Sequence, residues 1–96
     1  VVDYNFSASP EKYRTIAEVL GLEVKGKREE DVKKTLIDYL IRLKSDISIN
    51  NTLKDKGVTT DVTKVLAAKA INDPCNATNP RMPVLGDLVT IYNEAL

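Results

Sequence analysis

The side chains with the greatest capacity for chemistry lie in one short segment, Asp73-Pro74-Cys75-Asn76-Ala77-Thr78-Asn79-Pro80-Arg81. This segment holds the only cysteine of the chain and two of its four prolines. Cys75 is a candidate nucleophile, and the guanidinium of Arg81 is a candidate group for binding a phosphate or a carboxylate. The structural alternatives are a small buried side chain for Cys75, and for Arg81 a loop anchor that donates to backbone carbonyls or a carboxylate.

Residue types that are missing from the chain argue against catalysis by Cys75. Histidine is absent, so the thiol lacks the usual general base and a metal ion would lack its commonest ligand. The four glycines stand far apart and form no glycine-rich phosphate loop. One cysteine and scattered carboxylates do not make a zinc or iron site. We therefore expect no complete enzyme here, and no metal or nucleotide cofactor bound by this chain.

Composition limits the class of protein further. The 96 residues make one domain or part of one, and the hydrophobic content of 43% and charged content of 29% are typical of a globular protein. Basic and acidic residues balance at 14 each, which argues against nucleic-acid binding. A single cysteine and the lack of a signal peptide or long apolar run favour a cytoplasmic protein with no membrane insertion. Because the first residue is Val1 rather than Met, we expect a piece of a longer chain.

The elements that must position the Cys75 segment are helices. Pro74 and Pro80 lack backbone donors and restrict the residues before them, so we expect that neither a helix nor a strand runs through the segment. Apolar periodicity and end signals predict an all-α fold of five helical elements, with residues 1–8 as an extended lead-in. The predicted elements are 10–20, 28–47, a short turn at 52–56, 61–72, and a final helix from Pro83 to about residue 95.

Helix ends and faces add detail to this prediction. Ser9, Asn51 and Thr59 or Thr60 are predicted N-caps, while Gly21 and Gly57 are predicted to close their elements. The periodicity predicts inward-facing apolar residues on each of the four longer helices. They are Tyr13, Ile16, Ala17 and Leu20 on the first; Val32, Leu36, Tyr39, Leu40, Leu43 and Ile47 on the long helix; Val62, Val65, Leu66 and Ile71 on the helix at 61–72; and Leu85, Leu88, Val89, Tyr92 and Leu96 on the final helix. Ile37 and Ile41 lie nearly opposite the stripe of the long helix. They are either isolated exposed residues or a second packing surface for something outside this chain.

The segment also carries a family resemblance. Residues 67–75, followed by Asn79-Pro80-Arg81 and a closing helix with Tyr92 and Leu96, resemble the C-terminus of the iron-containing (group III) alcohol dehydrogenases. The resemblance covers essentially the whole chain, and Asp-Pro-Cys followed by Asn-Pro-Arg is its most specific part. Its upstream matches are Tyr4-Asn5, Pro10-Glu11-Lys12-Tyr13, Ile16-Ala17, Leu20-Gly21, Asp46-Ile47 and Leu53-Lys54-Asp55-Lys56-Gly57-Val58. The chain departs from the family at Asn50, often proline there, and at Lys27 and Val84, often Ser or Thr.

The resemblance implies a function for a longer parent protein. The chain would be the C-terminal portion of the helical, metal-binding-side domain of a dehydroquinate-synthase-like fold, without the nucleotide-binding domain and the metal-ligand helices. The parent would interconvert alcohols and aldehydes with NAD(P) and iron or another divalent metal. The chain alone would be inactive, with the remainder of the parent, an expected homo-oligomer, as its partner. The alternative is a free-standing helical interaction module without catalysis.

The resemblance also implies roles within the segment. Cys75 would form a wall of the substrate pocket without acting as nucleophile or metal ligand. The residues expected to hold the loop in place are Pro74, Asn79, Pro80 and Arg81. No residue of this chain is expected to be catalytic, to bind the cofactor or to ligate a metal.

Overall fold

The computed structural model describes all 96 residues and confirms the all-α prediction. The chain contains five α-helices, two short 3₁₀ helices and no strand. The α-helices are α1 (Val2–Phe6), α2 (Pro10–Val19), α3 (Glu29–Asp46), α4 (Thr60–Ala70) and α5 (Leu85–Glu94), and the 3₁₀ helices are Lys54–Lys56 and Pro74–Thr78. None of these helices combines the length and apolarity needed to cross a membrane. The chain forms two compact units, Val1–Asn50 (the N-terminal unit) and Asn51–Leu96 (the C-terminal unit).

The extended lead-in predicted at the N-terminus is wrong, because residues Val2–Phe6 form α1. Val2 and Phe6 lie four residues apart, so a helix turns both toward the core, where Phe6 is buried and Val2 packs against it. The ring of Phe6 stacks on that of Tyr13 with centroids 5.5 Å apart. A helix of five residues is unstable by itself in water, so tertiary packing, which local sequence does not report, decides its conformation.

The core of the N-terminal unit lies between α1, α2, α3 and the connector that joins α2 to α3. Its buried members are Phe6, Ala17, Val24, Val32 and Leu36, and its partly buried members are Val2, Tyr13, Leu22 and Leu40. Both α1 and α2 pack on α3. Val32 and Leu36 are four residues apart on α3, as the predicted stripe requires.

The connector between α2 and α3 is held by Arg14, which the sequence analysis did not single out. The guanidinium of Arg14 donates to the carbonyl oxygens of Val24 at 2.7 Å and Lys27 at 2.6 Å. One forked group therefore fixes two points of the connector to α2, and Val24 inserts its side chain fully into the core.

Three helical elements end with the same backbone arrangement, a residue with positive φ that follows the last turn. Gly21 after α2, Ser48 after α3 and Gly57 after the first 3₁₀ helix have φ of 77°, 61° and 83°. In each case two backbone amides return to the last-turn carbonyls; after α3, Ser48 N donates to Ser45 O at 3.0 Å and Ile49 N to Lys44 O at 2.8 Å. This is the Schellman arrangement, and glycine is its preferred residue because it has no Cβ. The endings predicted at Gly21 and Gly57 are thus confirmed, whereas Ser48 adopts this conformation with a side chain.

We predict that Ser48→Gly stabilises the protein. Relief of the left-handed backbone cost outweighs the extra freedom of glycine in the unfolded chain, so the free energy of unfolding should rise by about 0.5–1 kcal/mol. Ser45→Gly, three residues earlier within α3, should lower it by about 0.5 kcal/mol because glycine is a poor helix former. Urea denaturation followed by circular dichroism measures both variants. Two changes of the same sign would contradict this assignment of the helix end.

The N-terminal caps differ from the sequence prediction. No side-chain cap hydrogen bond forms at Ser9 or at Thr59. Instead, Thr52 N donates to Asp55 Oδ2 at 2.8 Å before the first 3₁₀ helix, and Val84 N donates to Asp87 Oδ2 at 3.0 Å before α5. An acidic side chain three residues after the N-cap can therefore accept a hydrogen bond from the N-cap amide, even where the N-cap residue has no polar side chain, as at Val84.

The C-terminal unit is built on the packing of α4 against α5. Thr63 and Ala67, four residues apart on α4, are fully buried, and Pro83 before α5 is buried as well. The Thr63 hydroxyl donates to Thr60 O at 2.7 Å, so its burial leaves no unpaired polar atom. Leu53 N donates to Ala95 O at 2.9 Å and joins the beginning of this unit to its end.

Several residues that the periodicity placed on inner faces are exposed instead. They are Ile16 on α2 and Leu20 after it, Leu43 on α3 and Ile47 after it, Val65 on α4 and Leu85 on α5. The physical reason is that each unit has only two or three α-helices, so the apolar stripe of a helix is wider than the neighbours that can cover it. Ile41 is 61% exposed, as expected of a residue opposite the main stripe, and Ile37 is half-buried.

Candidate functional site

The candidate site is the connection between α4 and α5, residues 73–81, which we call the Cys75 loop. The prediction that this loop joins the last two helices is confirmed. As predicted, no helix or strand runs through the whole loop, although Pro74–Thr78 within it forms a 3₁₀ helix. Pro74 occupies its first position, where the missing backbone donor costs nothing, and the element ends before Pro80.

The backbone of Cys75 is fixed from both sides within the loop. Asp73 caps the 3₁₀ helix, and its Oδ1 accepts from Cys75 N at 2.8 Å. The hydroxyl of Thr78 donates to Cys75 O at 3.0 Å. The backbone N–H and the backbone carbonyl of Cys75 are therefore both hydrogen-bonded, which fixes the backbone from which its side chain projects.

The side chain of Asn76, a residue to which the sequence analysis assigned no role, bonds the loop to α4. Its side-chain amide nitrogen donates to Ala70 O at 2.8 Å and to Ile71 O at 3.2 Å. These carbonyls belong to the last residue and the C-cap of α4, where helix carbonyls lack intrahelical donors. The sequence does contain a signal, namely an amide side chain shortly after a helix end. Asn72, Asn76 and Asn79 all match this signal, so it does not identify Asn76 alone.

The four residues predicted to hold the loop have different environments. Asn79 is half-buried, and its side-chain amide donates to the carbonyl oxygen of Arg81, so these two residues are brought together. Pro74, Pro80 and Arg81 are exposed. The anchoring role assigned to the guanidinium of Arg81 and the stiffening role of the two prolines remain predictions.

The thiol of Cys75 is exposed, not a buried small side chain, so that structural alternative is wrong. A hydrogen bond to the Asp73 carboxylate raises the pKa of the Cys75 thiol, because the thiol donates only while protonated, and repulsion by the carboxylate charge adds to this effect. The same bonding, led by the Cys75 amide, lowers the pKa of Asp73, which stays ionised near neutral pH. Since the thiolate is the nucleophile, this arrangement supports a passive role for Cys75.

We predict that Asp73→Asn lowers the pKa of Cys75. The asparagine carbonyl can still accept from Cys75 N and keep the turn, while the negative charge is lost. The rate of alkylation by iodoacetamide, measured against pH, should reach half of its maximum at lower pH in the variant. Asp61→Asn, which removes an exposed carboxylate from the first turn of α4, is the matched control. If the two variants give the same midpoint as the unsubstituted protein, Asp73 does not hold the thiol protonated.

The residues of this chain do not fit a metal centre. No group of three or more His, Cys, Asp or Glu side chains is arranged to hold a metal ion. Gly21, Gly26 and Gly57 have positive φ and stand at separate turns, while Gly86 lies in α5, so they form no phosphate loop.

Comparison with known proteins gives this loop its context. Residues 1–96 match the family model described as "Fe-containing alcohol dehydrogenase family, C-terminal". The chain therefore belongs to the iron-containing alcohol dehydrogenase family and corresponds to its C-terminal region. The family resemblance stated from the sequence is confirmed.

Individual relatives agree with this membership. Lactaldehyde reductase of Escherichia coli (strain K12) is 36% identical over 95 residues, which are 99% of this chain and 25% of that protein. NAD-dependent methanol dehydrogenase of Bacillus methanolicus is 30% identical over 96 residues, which are 100% of this chain and 25% of that protein. The crystal structure of a 1,3-propanediol oxidoreductase superposes with a TM-score of 0.92 at 32% identity, covering 100% of this chain and 25% of that one. The chain spans about a quarter of the length of these relatives.

Proposed function

We propose that this chain is the C-terminal helical portion of an NAD(P)-dependent, iron-containing oxidoreductase that interconverts alcohols and aldehydes. The observation that carries the proposal is the match over all 96 residues to the C-terminal model of that family. The names of the relatives support the reaction class, since they include a lactaldehyde reductase and an NAD-dependent methanol dehydrogenase.

In this proposal the chain supplies structure and part of a pocket wall, while the remainder of the parent protein holds the metal and the nicotinamide. The chain's own residues provide no ligand cluster and no phosphate loop, so the isolated chain is inactive. A divalent metal in such enzymes polarises the substrate oxygen, and NAD(P) exchanges the hydride. Exposed apolar residues, among them Ile16, Ile41, Val65 and Leu85, give the remainder of the parent a surface to cover.

Cys75 is the residue that we assign to the substrate pocket. It is exposed on a loop whose backbone is fixed by Asp73 and Thr78, and the Asp73 carboxylate raises the pKa of its thiol. A small, soft, unreactive side chain suits the wall of a pocket for a short alcohol. The parent is further proposed to be a cytoplasmic homo-oligomer that does not bind nucleic acid, which agrees with equal numbers of acidic and basic residues and one free cysteine.

The activity itself is tested with the longer protein that contains this chain. The substrates in the names of the relatives, lactaldehyde, 1,3-propanediol and methanol, form the first panel, with NADH or NAD as appropriate and NADP in parallel. Activity lost on chelation and restored by iron supports the proposal. Absence of nicotinamide-linked turnover, together with capture of a protein partner, would favour the interaction module instead. The isolated 96-residue chain should show no micromolar binding of iron, zinc or NAD by calorimetry.

We predict that the volume of residue 75 determines which alcohols the parent enzyme accepts. Cys75→Phe should lower kcat/KM for longer alcohols by about tenfold or more relative to the shortest one, because one methylene in a pocket already changes rates by about that factor. Cys75→Ala should alter substrate preference while turnover and bound metal persist. Steady-state kinetics and metal analysis provide the measurement.

Two controls accompany these variants. Ala68→Phe introduces the same side chain at an exposed position of α4 and should leave substrate preference unchanged. Alkylation of Cys75 should slow when NAD and a substrate analogue are bound. Equal alkylation rates in both states would place Cys75 away from the pocket, and loss of bound metal in Cys75→Ala would show that its role is not passive.

A further inference from the structure

The Cys75 loop is attached to the end of α4 by the backbone N–H of Asp73, which donates to Ala70 O at 3.0 Å, and by the side-chain amide of Asn76. Pro74, Cys75, Ala77 and Thr78 are exposed, whereas Asn76 between them is half-buried. The hydrogen bonds from Cys75 N to Asp73 and from Thr78 to Cys75 O stay within the loop. The Asn76 amide instead reaches Ala70 O and Ile71 O at the end of α4.

The main chain of Asn76 is central to the loop as well. Its N–H donates to Asp73 O at 3.1 Å, and its carbonyl oxygen accepts from Asn79 N at 3.2 Å. Asn76 therefore connects Asp73, which caps the 3₁₀ helix, with Asn79, which follows that helix, and with the end of α4. A displacement of Asn76 must move Cys75, its immediate neighbour in a turn of 3₁₀ helix.

We propose that Asn76 is the positioning residue of the Cys75 loop and sets alcohol preference by fixing where the Cys75 thiol stands. This inference rests on the proposed function, because preference is defined only for an enzyme that uses Cys75 as a pocket wall. As a positioning residue, Asn76 contacts neither substrate nor cofactor and acts through the backbone of Cys75. The amide nitrogen donates to two carbonyl oxygens at the end of α4, a task that a carboxylate of the same shape cannot perform.

The chain offers a matched pair of substitutions for the test. Asn76→Asp replaces the amide nitrogen by an oxygen of similar size, which faces Ala70 O and Ile71 O and repels them. Asn72→Asp makes the same chemical change at an exposed residue whose amide donates to Ala68 O of α4 at 2.9 Å, before the loop begins. Asn76→Ala removes the donor without adding charge and serves if Asn76→Asp does not fold.

The experiment uses the full-length protein, loaded with metal and NAD, with folding checked by circular dichroism. For the Asn76 variants, the ratio of kcat/KM between the shortest and a longer alcohol should change by about tenfold, mostly through KM. The alkylation rate of Cys75 in the same variants should change with it. Asn72→Asp should leave both quantities within about twofold of the unsubstituted protein, because Asn72 is exposed and its side chain bonds to α4 and not to the loop.

Each other outcome overturns the inference. Unchanged alkylation and preference in the Asn76 variants would show that the loop does not depend on this amide. Changed alkylation with unchanged preference would show that the thiol moves without consequence for the substrate. Equal effects of Asn72→Asp would show a general response of the end of α4. Failure of the proposed function would be recognised separately, since the unsubstituted protein would then oxidise no alcohol.

Discussion

The carbonyl groups at the ends of helices need hydrogen-bond donors, and the way this chain supplies them determines its turns. The last carbonyls of a helix have no donor within the helix, and their burial without a partner is costly. After α2 and α3 the backbone itself turns back to donate, with Gly21 and Ser48 in the left-handed conformation. After α4 the backbone also turns back, with Asn72 N donating to Lys69 O and Asp73 N to Ala70 O, and the side chain of Asn76 adds a further donor before the chain continues into a 3₁₀ helix. Unlike the ends of α2 and α3, this helix end contains no residue in the left-handed conformation, and a side-chain amide supplements its backbone donors.

The Cys75 loop shows how such a helix end can become a chemical environment. Within the loop that Asn76 bonds to α4, Asp73 lies beside Cys75. Its carboxylate accepts from the Cys75 backbone and raises the pKa of the thiol. One acidic residue therefore serves both the conformation and the chemistry of its neighbour. This combination favours a thiol that is accessible yet weakly nucleophilic, which is useful where a small side chain must border a reactive substrate without reacting with it.

Sequence reasoning predicted the parts of this fold that depend on local signals. The long helix α3, the glycine endings at Gly21 and Gly57, and the family follow from periodicity, backbone conformation and the Asp-Pro-Cys motif. It failed at α1, whose helix depends on the contact of Phe6 with distant residues, and at Asn76, where three nearby asparagines look alike in the sequence. It also placed Ile16 and Leu85 in the interior, because periodicity identifies an apolar face but not whether 96 residues suffice to cover it. The role of Cys75 as a pocket wall and the loop-holding roles of Pro74, Pro80 and Arg81 remain proposals.

The difference in burial between the two units has a consequence for the order in which parts of the chain open. The N-terminal unit buries Phe6, Val24, Val32 and Leu36, whereas the fully buried side chains of the C-terminal unit are the smaller Thr63 and Ala67. Local opening is easiest where few large apolar side chains are buried. Amide protons of α3 should thus exchange with solvent more slowly than those of α5, and coverage of α4 and α5 by further protein would slow exchange in the C-terminal unit most. The segment that carries the Cys75 loop is therefore the part of this chain whose rigidity depends most on its surroundings.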